Sequence, residues 1–591
     1  MIYCTIGGRT VYPESGTNIK ITLENPYLKE EGSHTYEISF PLSIPENRAV
    51  FGSVHRYDVS KKNIKYDNCS LFSGSMRVIS GIGKVVSYTN EKIKLQIIAE
   101  TQSGRQKAME KYIDSIKYPP VAEPYATWCK NKFVYLDRTI LNKGYEGIKG
   151  KYVFFTVRNT GEEPYRSCLS NAVFEDTGEN KLYIWKPALQ PNLIYVLHET
   201  LAAIGYTVTE DDFDKYPWNN LYITNVKKSD KIEGALPHWK ITTFVKEFCN
   251  LFNAKIIYDE TNGTARIKSF STVGSADRID IYPEMEFSSE YDEEGISYIE
   301  SDDLEYNLQQ CEDERSARVV SEDALNFFPI KVYATKAEMY AAAAGMTQKE
   351  KLTTIFLCKN SGYWYYRKDE ETNIISEEAF GFFTKLIKER EEEEEASTRK
   401  LNMVPVSMGI YELKTDIYPH EEVVGRPLIP YVEGPEYNWG ETPDQDEYVS
   451  VQDVVEDSVS IESQGEDEIM QIAFLSEIKY TYITVESQSF TLMTHILGSF
   501  CDQRESTVSQ SCSLALTEPG SIVNYIGTFH KKSMQINPHN QIVATFLTNA
   551  LPDIKAVYCI RNKLFLCAKI EATVDDNGVD QLKKGYFYEI L

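Results

Sequence analysis

Leu236 to Phe270 reads LPHWKITTFVKEFCNLFNAKIIYDETNGTARIKSF. Phe244, Val245, Phe248, Leu251 and Phe252 recur at helical spacing, which predicts one apolar stripe on a helix with Thr242 as its N-cap. Asn253 follows as a residue that tolerates the left-handed conformation and stops the helix. Ala254 to Tyr258 and Thr264 to Phe270 then form a hairpin turning tightly at Asn262-Gly263, the pair that best accepts positive φ. The stretch holds no nucleophile, metal cluster or phosphate loop, so its residues specify packing.

Upstream, Pro191 marks the first position of a second helix. Ile194, Leu197, Leu201 and Ile204 form its apolar face, and Gly205 ends it. These elements predict a helix-and-sheet module over 186–275. Before it, 1–105 reads as strands. Ile19, Ile21 and Leu23 alternate with polar residues, as do Tyr36, Ile38, Phe40, Leu42 and Ile44, and again Ile93, Leu95 and Ile97 after the turn at Thr89-Asn90-Glu91. Pro26, Pro41 and Pro45 bound or edge these strands. This N-terminal segment is expected to be β-barrel-like, followed by a mixed β connector over 106–185 with a strand-like KYVFFTV at Lys151 to Val157.

After the module, 276–324 is an acidic connector and 325–400 an inserted α/β unit. That unit carries a helix at Ala341 to Ala344, a strand pair with Tyr363-Trp364-Tyr365-Tyr366, and a charged run ending in Glu391 to Glu395. An acidic linker region covers 401–469. A C-terminal β domain covers 470–591, with Ile478, Tyr480 and Tyr482 alternating, turns at Arg561-Asn562-Lys563 and Asp576-Asn577-Gly578, and a final strand from Gly585 expected to be paired. The expected fold class is multidomain, β-rich α+β: two tube-like antiparallel β-barrel domains, a helix-and-sheet module and an inserted α/β unit.

A chain of 591 residues is too long for a single core. The formal net charge of −26 argues against a protein that grips nucleic acid by its phosphates, so sequence-specific nucleic-acid binding is not expected. An acidic surface suits solubility, and it would also suit a channel through which DNA slides. MIYCTIGGRTVYPESG lacks the basic-then-apolar pattern of a secretory signal, and no run of about 18 apolar residues predicts stable membrane insertion. The eleven cysteines are scattered, without a CxxC pair, and read as reduced thiols in packed positions.

No catalytic, cofactor-binding or metal-ligating residue is nominated, and no cofactor is expected. His34, His55, His198, His238, His420, His495, His530 and His539 form neither HExxH nor a zinc cluster; His198 and His238 read as structural. Ser80-Gly81-Ile82-Gly83-Lys84 is a broken dinucleotide fingerprint without a third glycine and reads as a bulge or turn. There is no P-loop and no GxSxG elbow.

Three runs resemble the tail-hub or tail-tip proteins (baseplate hub-like) of tailed bacteriophages infecting gut bacteria. They are Glu24 to Val59, ENPYLKEEGSHTYEISFPLSIPENRAVFGSVHRYDV; Leu236 to Asn253, LPHWKITTFVKEFCNLFN; and Ile560 to Ile590, IRNKLFLCAKIEATVDDNGVDQLKKGYFYEI. The resemblance implies a structural virion protein, not an enzyme. It implies a homotrimeric ring whose tube-like domains meet the tail tube protein, with a conduit for DNA ejection. Further implied partners are the tape-measure protein and spike, fibre or receptor-binding proteins. The implied location is the virion tail, after assembly in the host cytoplasm. Two other functions are compatible with the residues: a surface carbohydrate-binding or adhesin protein, with Trp364 and its tyrosine neighbours stacking on sugars, and a cell-wall hydrolase of the tail tip.

Overall fold

Strand Ile19–Glu24 pairs antiparallel with strand Lys563–Asp575, from Ile19 opposite Val574 to Glu24 opposite Lys569, and so joins early and late segments into one sheet. The structure is a computed structural model. It describes residues 2–25, 28, 34–52, 56, 58, 64–98, 108–131, 133–136, 147–148, 150–160, 168–176, 181–259, 262–270, 278–281, 284–291, 303–307, 316–317, 330–334, 336–347, 350, 354–358, 363–366, 378–380, 385–386, 398–410, 413–414, 423–425, 428–434, 469–485, 488–498, 500–503, 510–516, 524–534, 536–549 and 551–590. The fold is β-rich, with few helices and several sheets, and among the described residues none of the sheets closes into a barrel. The chain divides into two compact units. One holds Met1–Ala108, Asn253–Ser301 and His530–Leu591; the other holds Met109–Phe252 and Asp302–Phe529.

The first unit is organised by a 15-stranded sheet. Its path runs Arg9–Val11, Ile2–Ile6, Lys65–Ser73, Met76–Tyr88, Lys92–Ile98, His34–Thr35, Ile19–Glu24, Lys563–Asp575, Leu582–Ile590, Ile536–Leu547, Glu284–Tyr291. The alternation expected at Ile19, Ile21, Ile93, Leu95 and Ile97 is present, and these residues pack in one core with Ile38, Phe40 and Leu71. Helix Pro45–Phe51 lies over this core, its Phe51 ring 5.3 Å from Phe40 and 5.4 Å from Tyr66. Buried Asn47 fastens the helix: its Nδ2 donates to the carbonyls of Tyr12 (2.8 Å) and Pro41 (2.9 Å), and its Oδ1 accepts from the Tyr12 N–H (2.8 Å).

On the late side of the seam, Ile542, Phe546, Tyr558, Phe565, Ile570 and Phe587 form a second core. The strand expected after Gly585 spans Leu582–Ile590 and has partners on both sides, Ile536–Leu547 and Lys563–Asp575. Ile560 opposite Lys563 leaves Arg561 and Asn562 as a two-residue turn, both at positive φ, as the twist of a hairpin requires. Parts of 276–306 are also strands of this sheet: Arg278–Ile281 runs parallel to Val557–Ile560, and Glu284–Tyr291 runs antiparallel to Ile536–Leu547.

At the seam, Asn25 is fully buried. Its N–H donates to the Ala568 carbonyl (2.8 Å), and its Nδ2 donates to the carbonyls of Cys567 (2.7 Å) and Ile554 (3.1 Å). An asparagine here satisfies backbone acceptors that an apolar residue would strand.

In the second unit, helix Leu193–Ala203 is capped by Asn192, whose Oδ1 accepts from the Tyr195 N–H at 3.0 Å. Pro191 therefore precedes the cap rather than opening the helix; it pairs in a short strand with Tyr152. Gly205 follows the helix at φ 98°. Helix Ile241–Phe252 begins one residue before Thr242, whose hydroxyl instead donates to the Met109 carbonyl at 2.9 Å. Its predicted stripe is buried. Phe248 and Phe252 close on Phe213, with centroids at 5.7 and 4.6 Å, and Phe252 meets Trp218 at 5.6 Å. Asn253 takes φ 45°, as the helix stop requires. The hairpin that follows, Ala254–Asp259 with Thr264–Ser269, belongs to the first unit. Asp259 opposite Thr264 leaves residues 260–263 in the connection, one residue fewer than the expected strand ends at Tyr258 and Thr264 imply.

KYVFFTV is interrupted: Tyr152–Val153 and Val157–Asn159 are separate strands, with Phe154 and Phe155 buried between them. Within 325–400, strand Ile330–Tyr333, helix Lys336–Ala344 and a parallel strand Ile355–Cys358 form a β-α-β unit, and Tyr363–Tyr366 pairs antiparallel beside it. Glu391 to Glu395 and residues 435–468 lie outside the described residues.

Glu247, in helix Ile241–Phe252, is 6% exposed and accepts the Asn402 N–H at 2.8 Å. Burial raises its pKa above the usual carboxylate value, more than that N–H and the nearby Lys246 lower it. A carboxyl raised in the fold contributes stability that is full below its unfolded pKa and is lost as pH rises through the folded value. Glu247→Gln keeps an acceptor and removes the charge. Its urea midpoint should therefore fall less than that of the unaltered chain between pH 4 and pH 7. At the seam, Asn25→Ala should cost about 2 kcal/mol and Ile21→Ala about 3 kcal/mol in urea unfolding followed by circular dichroism.

Candidate interaction surface

The first unit presents its outward sheet face in ordered rows. Tyr3 lies opposite Phe72, and Phe72 opposite Arg77; the Tyr3 and Phe72 rings stack at 5.0 Å and 4°. In a parallel row, Thr10, Thr5, Ser70 and Ser80 face one another across four strands. Strand alternation puts these side chains opposite Ile2, Cys4 and Leu71, which enter the core. The result is a half-buried face of hydroxyls edged by aromatics.

Two apolar groups stand out of this unit. Ile64 is 60% exposed, and its carbonyl accepts the Val85 N–H at 2.9 Å. The adjoining Val86 is 45% exposed because the register shifts between Val85 and Ser87 and turns it out of the ladder. Exposed Tyr88 follows. Lys65 and Lys84, directly opposite each other and both exposed, flank the group. The second group is the cross-strand pair Leu547 and Leu582, exposed by 56% and 44%. Single exposed apolar residues are ordinary, but adjacent ones in register are what interfaces use.

The glycine-containing run Ser80 to Lys84 lies inside strand Met76–Tyr88, so it is neither a turn nor a phosphate loop. The irregularity is on the facing strand: Tyr66 pairs Gly83 and Cys69 pairs Gly81, with Asn68 between them at φ 54°. Gly83 is small for a packing reason. A Cβ there would sit 2.7 Å from Cys69 Sγ and 2.8 Å from Leu95 Cδ2.

The two histidines read as structural are both held by acids in the second unit. His198 Nε2 lies 2.7 Å from Asp211 Oδ2, and Asp211 Oδ1 accepts the Phe213 N–H at 2.7 Å. His238 Nδ1 lies 2.8 Å from Asp114 Oδ2, and its ring stacks on Tyr112 at 3.8 Å. The same segment is strapped down by Ile113 N–H to the Trp239 carbonyl and Ile241 N–H to the Lys111 carbonyl, both 2.8 Å.

Burial raises the thiol pKa values of Cys4 and Cys567 well above the ordinary range and that of Cys129 to about 12, so these sulfurs stay protonated and unreactive. Among the described residues no group of three or more His, Cys, Asp or Glu is placed to hold a metal, and no helix is long and apolar enough to cross a membrane. The side chain of Trp364 lies outside the described residues. Sequence reading missed the apolar groups, because exposure at a bulge or strand end depends on register that spacing alone does not carry.

No protein-family model matches the chain, and no curated protein matches it in sequence. Among solved structures, the chain is similar to the prophage MuSo2 43 kDa tail protein from Shewanella oneidensis, at 10% identity and a TM-score of 0.29, covering 99% of this chain and 96% of that one. It is also similar to the tail protein from Neisseria meningitidis MC58, at 6% identity and a TM-score of 0.29, covering 100% and 95%. At these values neither likeness establishes the fold or role of this chain.

Gly83→Ala should lower the urea midpoint by the equivalent of about 2 kcal/mol, the scale of overpacking in a filled core. Millimolar ATP should leave the midpoint of the unaltered chain where it is; a rise on adding ATP would reinstate a phosphate site at this run.

Proposed function

We propose that this chain is a structural virion protein of a tailed bacteriophage, a tail hub that forms a homotrimeric ring between the tail tube and the tail tip or spike. The observation that carries the reading is the open sheet of the first unit, which displays exposed apolar groups at Ile64, Val86 and Tyr88 and at Leu547 and Leu582. A sheet that stays open among the described residues needs covering, and closed cyclic assembly would supply it. Most of one of the three runs that resemble tail hubs, Ile560 to Ile590, lies in this sheet, and another, Glu24 to Val59, contributes the strands His34–Thr35 and Ile38–Pro41. In this reading its early and late halves correspond to the two tube-like domains, which meet the tail tube protein.

The formal charge of −26 suits a lumen that repels phosphate and lets DNA slide during ejection. Its other partners are the tape-measure protein and spike, fibre or receptor-binding proteins, and its place is the virion tail after assembly in the host cytoplasm.

The test is mass by light scattering on the purified chain, with averaging of stained particles. The expected result is a ring of three 67.7 kDa subunits. Ile64→Asp with Val86→Asp should abolish the ring while changing subunit stability by less than about 1 kcal/mol, since both residues are exposed. A monomer at high concentration, with tube protein present, would overturn the proposal.

A further inference from the structure

In a chain with 62 basic and 88 acidic residues, one hairpin face of the first unit gathers positive charge. Lys255 and Lys268 are direct cross-strand partners in the hairpin Ala254–Asp259 with Thr264–Ser269. Like charges placed so cost stability unless something offsets them. Arg266, two residues from Lys268, shares their face opposite Ile257, which packs against the core of Phe270, Val557 and Leu566. Lys555 adjoins Arg266: burial lowers the Lys555 pKa most, then the Arg266 charge, which outweighs the opposing effect of Asp553. Among the described side chains, Asp553 is an acid that acts on Lys555, and its Oδ1 accepts the Lys555 backbone N–H at 2.9 Å. Among the described residues, no ion pair ties the Arg266 guanidinium or the Lys555 ammonium to an acid. Lys255 and Lys268 make contacts of their own and add positive potential.

We propose that this face, with Arg266 and Lys555 at its centre, is a docking surface for an acidic polypeptide segment, and that its occupant is residues 433–467 of a second copy of this chain. Charge complementarity selects the occupant: 433–467 contains twelve Asp and Glu and no Lys, Arg or His. Two copies that each carry −26 repel, and a cationic face that receives an anionic segment offsets part of that repulsion where the copies meet. Arg266 supplies a planar fork for carboxylates and Lys555 a point charge. The inference does not rest on the tail-hub reading, since it requires only that copies associate.

The experiment is fluorescence anisotropy of a labelled peptide of sequence 433–467, in excess, titrated with the full chain. The expected result is binding that weakens at least tenfold in Arg266→Glu with Lys555→Glu and between 0.1 and 0.5 M salt. Arg266→Gln with Lys555→Gln, a milder pair that preserves the fold, should show an intermediate loss. Equal peptide binding by the unaltered and altered chains would overturn the site. Equal affinity for polyglutamate, or for duplex DNA of matched charge, would overturn the occupant. A chain that stays monomeric yet binds the peptide through Arg266 and Lys555 would overturn the second copy as the occupant.

Discussion

The pairing of Ile19–Glu24 with Lys563–Asp575 is the constraint on which the first unit depends. Six residue pairs in register fix which face of each strand looks inward, because a slip by one residue would turn every side chain over. That register lets Ile19 and Ile21 join the same core as Ala572 and Val574. It also brings Asn25 to the carbonyls of Cys567 and Ile554, where a buried amide replaces water as donor. The outward rows of Tyr3, Phe72 and Arg77 and of Thr10, Thr5, Ser70 and Ser80 lie along the same continuous sheet.

The second unit is specified by buried polar groups as much as by its aromatic cluster. Asn171, at φ 57°, donates to the carbonyls of Phe155 (2.9 Å) and Ala188 (2.8 Å) and accepts the Ala188 N–H (2.7 Å). Gln190 donates to the Asn225 carbonyl (2.7 Å), and Asn225 donates to the Leu189 carbonyl (2.6 Å). Such a network holds irregular chain inside a core, where unpaired backbone groups would be costly. It explains why Phe154 and Phe155 can be buried between two short strands rather than in one continuous strand.

Local signals were legible in the sequence. The stripe from Phe244 to Phe252, the stop at Asn253, the stop at Gly205 and the turns near Asn562 and Gly578 are decided by neighbours a few residues away, so spacing and residue type carry them. The seam was not legible, because alternation shows that Ile19 and Val574 each belong to a strand but not that they are partners. The closing pair of the hairpin, Asp259 with Thr264, lies one residue beyond the expected strand end at Tyr258. The candidate surface was hidden for a related reason. Val86 is turned outward by a register shift, and Arg266 meets Lys555 only through tertiary packing. The acids beside His198 and His238, Asp211 and Asp114, were not legible in the sequence.

The seam also dictates an order of events on the ribosome. Lys563 emerges some 540 residues after Glu24, which at the pace of synthesis is roughly half a minute to two minutes later. Throughout that interval, strand Ile19–Glu24 lacks the partner that covers one of its edges, while its apolar face has only part of its core. A bare strand edge on a nascent chain is a template for the wrong neighbour, including the same strand on an adjacent polysome product. Fragments that end before Lys563 therefore lack that partner strand altogether.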